Sequence, residues 1–356
     1  MKKFRFTTIA LILVILLNSF FTFTGCKNND GDKTLILGLN SFEGLVVGVN
    51  ESADNIVLRI DGQEINANLS VKNGKVIVPT SAFKDTGLKK VEIDMQNSGK
   101  SIKTYALDVE VVDFAIGTTR EFSNWYNALE DLLDKNITVV FTDDIYVIGA
   151  AIDNSMSHYN WGGSNGKGFN GTIDGRGHVI YGFKSTHGFI PCVAQDGVIK
   201  NLAMVDMVTE GSWGFLGAFM IGTIENCYFQ GVQTNSTKAN WFTGFYGRYS
   251  LDNGQKVAKI SNVVINVKRP TIGQENDAFT DNAYRSPKGA DISGVYMIND
   301  NYNGEYFNGD RWDGLDVKIY SSVEDMASAV KKLPNGFSAD YWKIDADGLL
   351  VMKNVE

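Results

Sequence analysis

Gly197-Val198-Ile199-Lys200-Asn201-Leu202 recurs 25 residues later as Gly222-Thr223-Ile224-Glu225-Asn226-Cys227. Lys259-Ile260-Ser261-Asn262-Val263 is a further copy, Gly171-Thr172-Ile173-Asp174-Gly175 an earlier one, and Asp291-Ile292-Ser293-Gly294-Val295 a weaker one. The aligned isoleucines Ile173, Ile199, Ile224, Ile260 and Ile292 are spaced by 26, 25, 36 and 32 residues. A second series runs in phase: Gly188-Phe189, Gly214-Phe215, Gly244-Phe245 and a degraded Ala278-Phe279. Two series at one irregular period predict a solenoid, each repeat forming one coil and each aligned position stacking on its equivalent in the next. The isoleucines are expected to point inward as an aliphatic column, and the phenylalanines to form an aromatic column on another face. Asn201, Asn226 and Asn262 fall at a turn, where asparagine tolerates left-handed backbone geometry and bonds locally. Their amides are placed to bond along the column. The longer repeats carry their extra residues as loops.

On the N-terminal side of the repeats, Thr118-x-x-Glu121 is a capping-box pattern. Phe122, Trp125, Tyr126, Leu129, Leu132 and Leu133 then recur at helical spacing, so the helix has one apolar stripe. A strand follows over 137–145. A helix laid against the first strand of a long sheet makes an end-plug that hides its open edge. On the C-terminal side, Ser321-x-x-Glu324 is another capping box. Val323, Met326, Val330 and Leu333 predict a second helix, which Pro334-Asn335-Gly336 ends.

Residues 34–113 read differently. Short strands are expected at 34–39, 45–49, 55–60, 75–78, 89–95 and 102–112. Asp61-Gly62 is a hairpin signal, and Val91, Ile93 and Met95 alternate with Glu92 and Asp94 as in a half-buried strand. Such a segment resembles bacterial immunoglobulin-like modules, a likeness of architecture that implies a small sandwich acting as a spacer or interaction domain.

The stretch Phe169-Asn170-Gly171-Thr172-Ile173-Asp174-Gly175-Arg176-Gly177-His178-Val179-Ile180 resembles the F-x-G-T-I-D-G-x-G-H-x-I segment of GLUG-repeat proteins. Asp144-Ile145 and Trp161-Gly162 resemble the segments that lead into it. Ser338 to Lys353, with Tyr341-Trp342, Ile344-Asp345 and Gly348, resembles the closing segment of that family. The likeness covers roughly residues 118–354. It implies a bacterial surface protein with a right-handed parallel β-helix of the pectin-lyase type.

That fold hosts polysaccharide lyases and glycoside hydrolases, so the chemistry was sought residue by residue. Glycoside hydrolysis needs paired carboxylates. Asp174, with Arg176 and His178 beside it, is the obvious candidate, but in the resembled family this segment is a repeated turn. No cluster of acidic calcium ligands occurs at coil spacing. Asp143-Asp144 and His187-Gly188 match two polygalacturonase-like patterns in the wrong order, without the others. His158, His178 and His187 lack metal-ligand spacing. Residues 299–314 are the most unusual in composition. Tyr302, Tyr306, Phe307 and Trp312 stand there among Asp300, Glu305, Asp310 and Asp313. Aromatic faces flanked by carboxylates suit sugar recognition, and the alternative is a loop whose aromatics pack on the helix. Tyr302, Tyr306, Asp310, Trp312 and Asp313 are therefore the expected ligand-binding residues. Trp161, Trp213 and Trp241 are further candidates. No cofactor is expected, with calcium in the same loop as an alternative that lacks defined ligand spacing.

The N-terminus supplies an address. Lys2, Lys3 and Arg5 precede an apolar run over 6–17, and Phe23-Thr24-Gly25-Cys26 follows, a secretory pattern. The segment resembles a bacterial lipoprotein signal, which implies cleavage before Cys26 and lipid on its sulfur. A transmembrane anchor is the alternative, since the apolar stretch is nearly long enough. Loss of residues 1–25 leaves 30 basic against 41 acidic residues, taking the net charge from -8 to -11. Attachment then rests on acyl chains, each buried methylene contributing about 0.8 kcal/mol. Residues 27–33 are a flexible tether. An acidic chain excludes a broad basic face, so no nucleic-acid partner is expected. Cys192 and Cys227 fall in different columns and are expected to be buried free thiols rather than a disulfide.

The expected protein is all-β. A signal over 1–25 and a tether over 26–33 precede an immunoglobulin-like β-sandwich over 34–113. A single-stranded right-handed parallel β-helix with helical caps follows over 118–356. Many of the 37 glycines are expected at its turns. The expected role is a cell-surface protein, lipid-anchored to the cell membrane or outer membrane of a bacterial envelope and non-enzymatic. It binds a glycan or other surface component through the β-helix. A polysaccharide lyase or glycoside hydrolase, and a structural envelope protein, are the alternatives.

Overall fold

A computed structural model describes residues 34–41, 44–147, 168–185, 188–190, 192–209, 216, 219–220, 222–233, 259–268, 291–298 and 316–355. The described residues are mostly strand, and the chain divides after Val111 into two compact units, with Gly38–Asn40 belonging to the second.

The first unit has eight strands: β1 (Leu35–Gly38), β2 (Leu45–Gly48), β3 (Asn55–Ile60), β4 (Gln63–Ile65), β5 (Val71–Lys72), β6 (Lys75–Val78), β7 (Gly87–Asn97) and β8 (Lys100–Val112). They form a five-stranded sheet in the order β1-β8-β7-β3-β4 and a three-stranded sheet in the order β2-β6-β5. Its two-residue hairpins are built alike. Asp61-Gly62, Asn73-Gly74 and Ser98-Gly99 each carry two successive positive φ angles, 51° and 78°, 53° and 70°, and 50° and 72°. Those angles match the twist of the flanking strands. Alternation buries Leu45, Val47, Val76 and Val78 from the small sheet and Ile56, Leu58, Ile60, Val91, Ile93 and Met95 from the large one.

The second unit is a curled parallel sheet in three rows. The first row stacks β9 (Phe114–Ile116), β10 (Thr138–Phe141), β12 (Thr172–Asp174) and β16 (Val198–Lys200). It continues in the first halves of β19 (Thr223–Gln233), β20 (Lys259–Lys268) and β21 (Asp291–Ile298). The second row stacks β11 (Ile145–Tyr146), β13 (Val179–Tyr181) and β17 (Ala203–Thr209). The second halves of β19, β20 and β21 and then β22 (Val317–Tyr320) follow. The third row pairs β15 (Cys192–Val193) with β18 (Phe219–Met220), and Phe169 bridges to Val193. β14 (Lys184–Ser185) joins the end of β17.

The isoleucine column is in register: Val139, Ile173, Ile199, Ile224, Ile260 and Ile292 pair in succession, all of them buried. Each fully buried aliphatic side chain contributes about 1.5–3 kcal/mol, so the column is a main source of stability. Two residues on, Asn201, Asn226 and Asn262 hold φ angles of 53°, 50° and 55°, and Gly294 continues the column at 62°. Their side-chain amides bond along it. Asn262 Nδ2 donates to Asn226 Oδ1 and Asn226 Nδ2 to Asn201 Oδ1, both at 3.3 Å, and Asn201 Nδ2 donates to Asp174 Oδ1 at 3.0 Å.

The repeat glycines serve a purpose other than a turn. A Cβ on Gly171 would sit 2.2 Å from the Ile137 carbonyl oxygen, on Gly197 2.2 Å from that of Phe169, and on Gly222 2.2 Å from that of Gly197. None of the three has a positive φ. They let one layer pass directly over the carbonyl of another.

Several expectations need correction. The parallel sheet starts at Phe114, before the cap helix rather than after it, because β9 pairs with β10. The strand expected over 137–145 is broken at Thr142–Asp144 into β10 and β11. The helix Thr119–Asn127 does plug the core: Phe122, Trp125, Tyr126 and Leu129 are buried against Phe141, Phe183 and Phe189. Thr118 is its N-cap, and Glu121 accepts from the Gly117 amide. Of the phenylalanine series only Gly188-Phe189 is described; Phe215, Phe245 and Phe279 lie outside the described residues. In that row Cys192 pairs with Phe219, and the Phe189 and Ile190 amides both donate to the Leu216 carbonyl, where a spacing of 26 would have put Cys192 opposite residue 218. The second helix is shorter than expected, Val323–Ala329, and Ser322 rather than Ser321 is its N-cap.

Candidate functional site

The outward positions of the second row are apolar: Val179, Ala203, Tyr228, Val264 and Tyr296. The C-terminal segment covers them. Met326 and Val330 of the short helix, then Phe337 and Trp342, then Leu350, Val351 and Met352 pack on this face. β23 (Trp342–Ile344) and β24 (Leu350–Met352) form an antiparallel hairpin. Phe337 meets Tyr296 of the last full repeat edge-on at 5.4 Å. At the other end Asn354 Nδ2 donates to the Gly177 carbonyl at 2.9 Å, and the Tyr181 hydroxyl donates to the Asn354 carbonyl at 3.3 Å. The segment is a strap that runs from the last repeat back to the first.

The Phe169–Ile180 stretch is where the strap and the early layers meet. Asp174 is buried and ends the asparagine chain; its Oδ1 also accepts from the Arg176 amide at 3.0 Å. Arg176 Nε and Lys200 Nζ lie 3.3 and 3.6 Å from Oδ2. Both oxygens are engaged within the turn and by the neighbouring layer. Arg176 and Gly177 take φ angles of 52° and 87° there.

His178 is the exception within this turn. It does not touch Asp174; its Nδ1 lies 3.2 Å from Asp144 Oδ1, which also accepts from the Val179 amide at 2.9 Å. A carboxylate oxygen accepts only, so Nδ1 is the donor in this pair; Nε2 accepts when the ring is neutral and donates when it is protonated. The two side chains are 25% and 28% exposed. Among the described residues neither His178 Nε2 nor Asp144 Oδ2 has a partner.

Beside this pair stand two tyrosines. Tyr146 pairs with Tyr181 across β11 and β13, and their rings stack at 4.8 Å with planes 9° apart. Tyr146 is 58% exposed, and among the described residues β11 has no strand on its other edge. The Tyr146 backbone is fixed here, since Thr119 Oγ1 donates to the Tyr146 carbonyl at 2.8 Å. This arrangement is a stacked aromatic pair with one ring exposed, and the carboxylate and the imidazole stand two and three residues earlier on the same two strands' approaches.

Sequence reasoning put the binding residues elsewhere. Cys26 and Tyr302, Tyr306, Asp310, Trp312 and Asp313 lie outside the described residues, as do Trp161, Trp213 and Trp241. Among the described residues no three His, Cys, Asp or Glu side chains converge as metal ligands. Cys192 and Cys227 are both buried and unpaired, and burial pushes each thiol up to about 12. Comparison with protein-family models, with characterised proteins and with solved structures finds no match for this chain.

Proposed function

We propose that the chain is a lipid-anchored, non-enzymatic protein of the bacterial cell surface that binds a glycan or another surface component. On this reading Cys26 carries the lipid. The antiparallel unit is an immunoglobulin-like sandwich, and the three parallel rows are the sides of a right-handed β-helix like that of the GLUG-repeat proteins. The observation that carries the proposal is the in-register stack of the second unit. Strands about 4.8 Å apart repeat the same positions layer after layer, and an elongated periodic surface suits an extended, periodic polymer.

The test is a glycan array probed with the folded chain. Retention of one class of polysaccharide without turnover is the expected result. Binding of none overturns the proposal.

A second reading, a carbohydrate-active lyase or hydrolase, is supported by the Asp144–His178 pair. A carboxylate that orients an imidazole and leaves Nε2 as acceptor is the geometry of a general base. Release of reducing ends or unsaturated uronides from a polysaccharide would establish this reading in place of the first.

A further inference from the structure

We infer that the outward face of Tyr146, with His178 and Asp144 at its rim, is a sugar subsite selective for neutral or amino sugars over uronates. The inference rests on the glycan-binding reading above and gives it a place and a ligand class.

Three features of the geometry point there. The first is the aromatic plane. Tyr146 and Tyr181 are stacked with planes 9° apart, so Tyr181 backs one face of the Tyr146 ring and the other face is the flat surface. Tyr146 is the largest exposed apolar side chain among the described residues, at 58%. A flat ring exposed on one side matches the apolar face of a pyranose, whose axial C–H groups it would cover.

The second is rigidity. A stacking platform contributes affinity only if ordering it costs little on binding. Here the strand register and the Thr119 bond to the Tyr146 carbonyl fix the Tyr146 backbone, and the bond from the Tyr181 hydroxyl to the Asn354 carbonyl fixes the ring on which Tyr146 stacks before any ligand arrives. The strap and the cap helix thus meet at this platform from opposite ends of the sequence.

The third is the chemistry of the rim. Asp144 precedes Tyr146 by two residues, at the break just before β11. Its Oδ2 is partnerless among the described residues, as is the Nε2 of the histidine it orients. The carboxylate oxygen is an acceptor, and so is Nε2 of the neutral imidazole. They take hydrogen bonds from sugar hydroxyls, from an N-acetyl N–H, or from an amine. A uronate carboxylate brings acceptors and a negative charge to the same place. It meets Asp144, with Asp143 adjacent, in a chain of net charge -8. Specificity follows from that unpaired charge as much as from the contacts made.

The experiment compares the folded chain with Tyr146→Ala and Tyr146→Phe by isothermal titration against a chito-oligosaccharide, a cello-oligosaccharide and an oligogalacturonate. The wild type should bind one of the first two more tightly than the oligogalacturonate. Tyr146→Ala should weaken that binding at least tenfold with unchanged circular dichroism, and Tyr146→Phe should retain it. His178→Ala should weaken it while leaving the stacking variant's effect in place. Preference for the oligogalacturonate, or binding by Tyr146→Ala equal to wild type, overturns the subsite and leaves glycan binding standing. Binding to no saccharide overturns both.

Discussion

Asn226 donates its side-chain amide to Asn201 Oδ1 at 3.3 Å, the middle link of a chain that runs from Asn262 to the Asp174 carboxylate. The same asparagines hold left-handed backbone angles of 50–55°. One residue type meets two demands, because it visits that conformation at little cost and its amide both donates and accepts along the stack. The asparagines end at the layer where the left-handed turn remains but no side chain fits. Gly294 takes the next turn at 62°, and a Cβ there would be 2.9 Å from Asn262 Oδ1. Asn226→Ala keeps an L side chain in the left-handed turn and strips both neighbours of a partner, so it should cost about 2–4 kcal/mol. Asn226→Gly removes only the bonds and should cost about half as much. Urea unfolding of the two variants separates the contributions. Equal losses would mean that the backbone demand is absent.

The repeat glycines give a sharper steric case. Gly197→Ala sets a methyl 2.2 Å from the Phe169 carbonyl oxygen and 2.9 Å from a Val193 methyl. The layers must part to admit it, at a cost of about 1–3 kcal/mol or more. Gly48→Ala is the control: no heavy atom lies within 4 Å of its added Cβ. It should change stability by less than about 0.5 kcal/mol. The midpoint of thermal unfolding distinguishes them, and similar midpoints would contradict the close approach.

Why some of this was legible in the sequence and some was not has a physical answer. Ile199 and Ile224 stand in neighbouring layers at one position, so their register is visible as a spacing, and the asparagine turn follows from the same alignment. Gly188-Phe189 and Gly214-Phe215 look equally alike at a spacing of 26, yet the described pair of that row, Cys192 with Phe219, is 27 residues apart. In a chain with 37 glycines and 21 phenylalanines, a Gly-Phe pair is a weak marker. Phe114–Ile116 is too short to carry a period. The strap joins Asn354 to Gly177 across 177 residues, beyond the reach of any local pattern. His178 drew attention for its neighbour Asp174, whereas its partner is Asp144, 34 residues earlier and one layer away. Tyr146 was not singled out, because the first layer has no copy of the Gly-x-Ile signature to align it with Tyr181.

The two buried cysteines offer a test of the packed interior. Cys192 and Cys227 are in different rows, paired with Phe219 and Val263, and their thiols are pushed up to about 12 by burial. A thiol that is inaccessible and protonated is a poor nucleophile. In the folded chain at pH 8 neither should react with a maleimide over hours. In denaturant without reductant both should label fully, as read by mass spectrometry of the peptides. Failure of either to label when unfolded would reveal a disulfide.

In the first unit the test is one of pH. Asp94 is only 5% exposed. Its carboxylate accepts from Ser101, Gln96 and Thr104, and Arg59 stands 4.0 Å away. The Ser101 bond, then the Gln96 bond, outweigh burial and hold this carboxyl below the ordinary value of 3.8. The unfolded chain therefore binds a proton at a pH where the folded chain does not. The stability from Asp94 is fully present above the unfolded value and is lost as pH falls through the lower, folded one. Asp94→Asn should cost about 1–3 kcal/mol at pH 7, where the charged acceptor is replaced by an amide that cannot satisfy the same donors. Near pH 2.5 wild type has surrendered part of that advantage, so the gap between the two proteins should narrow. Urea unfolding at the two pH values measures it, and a gap that is constant or wider in acid would mean that the hydrogen bonds to Asp94 do not favour its charged form.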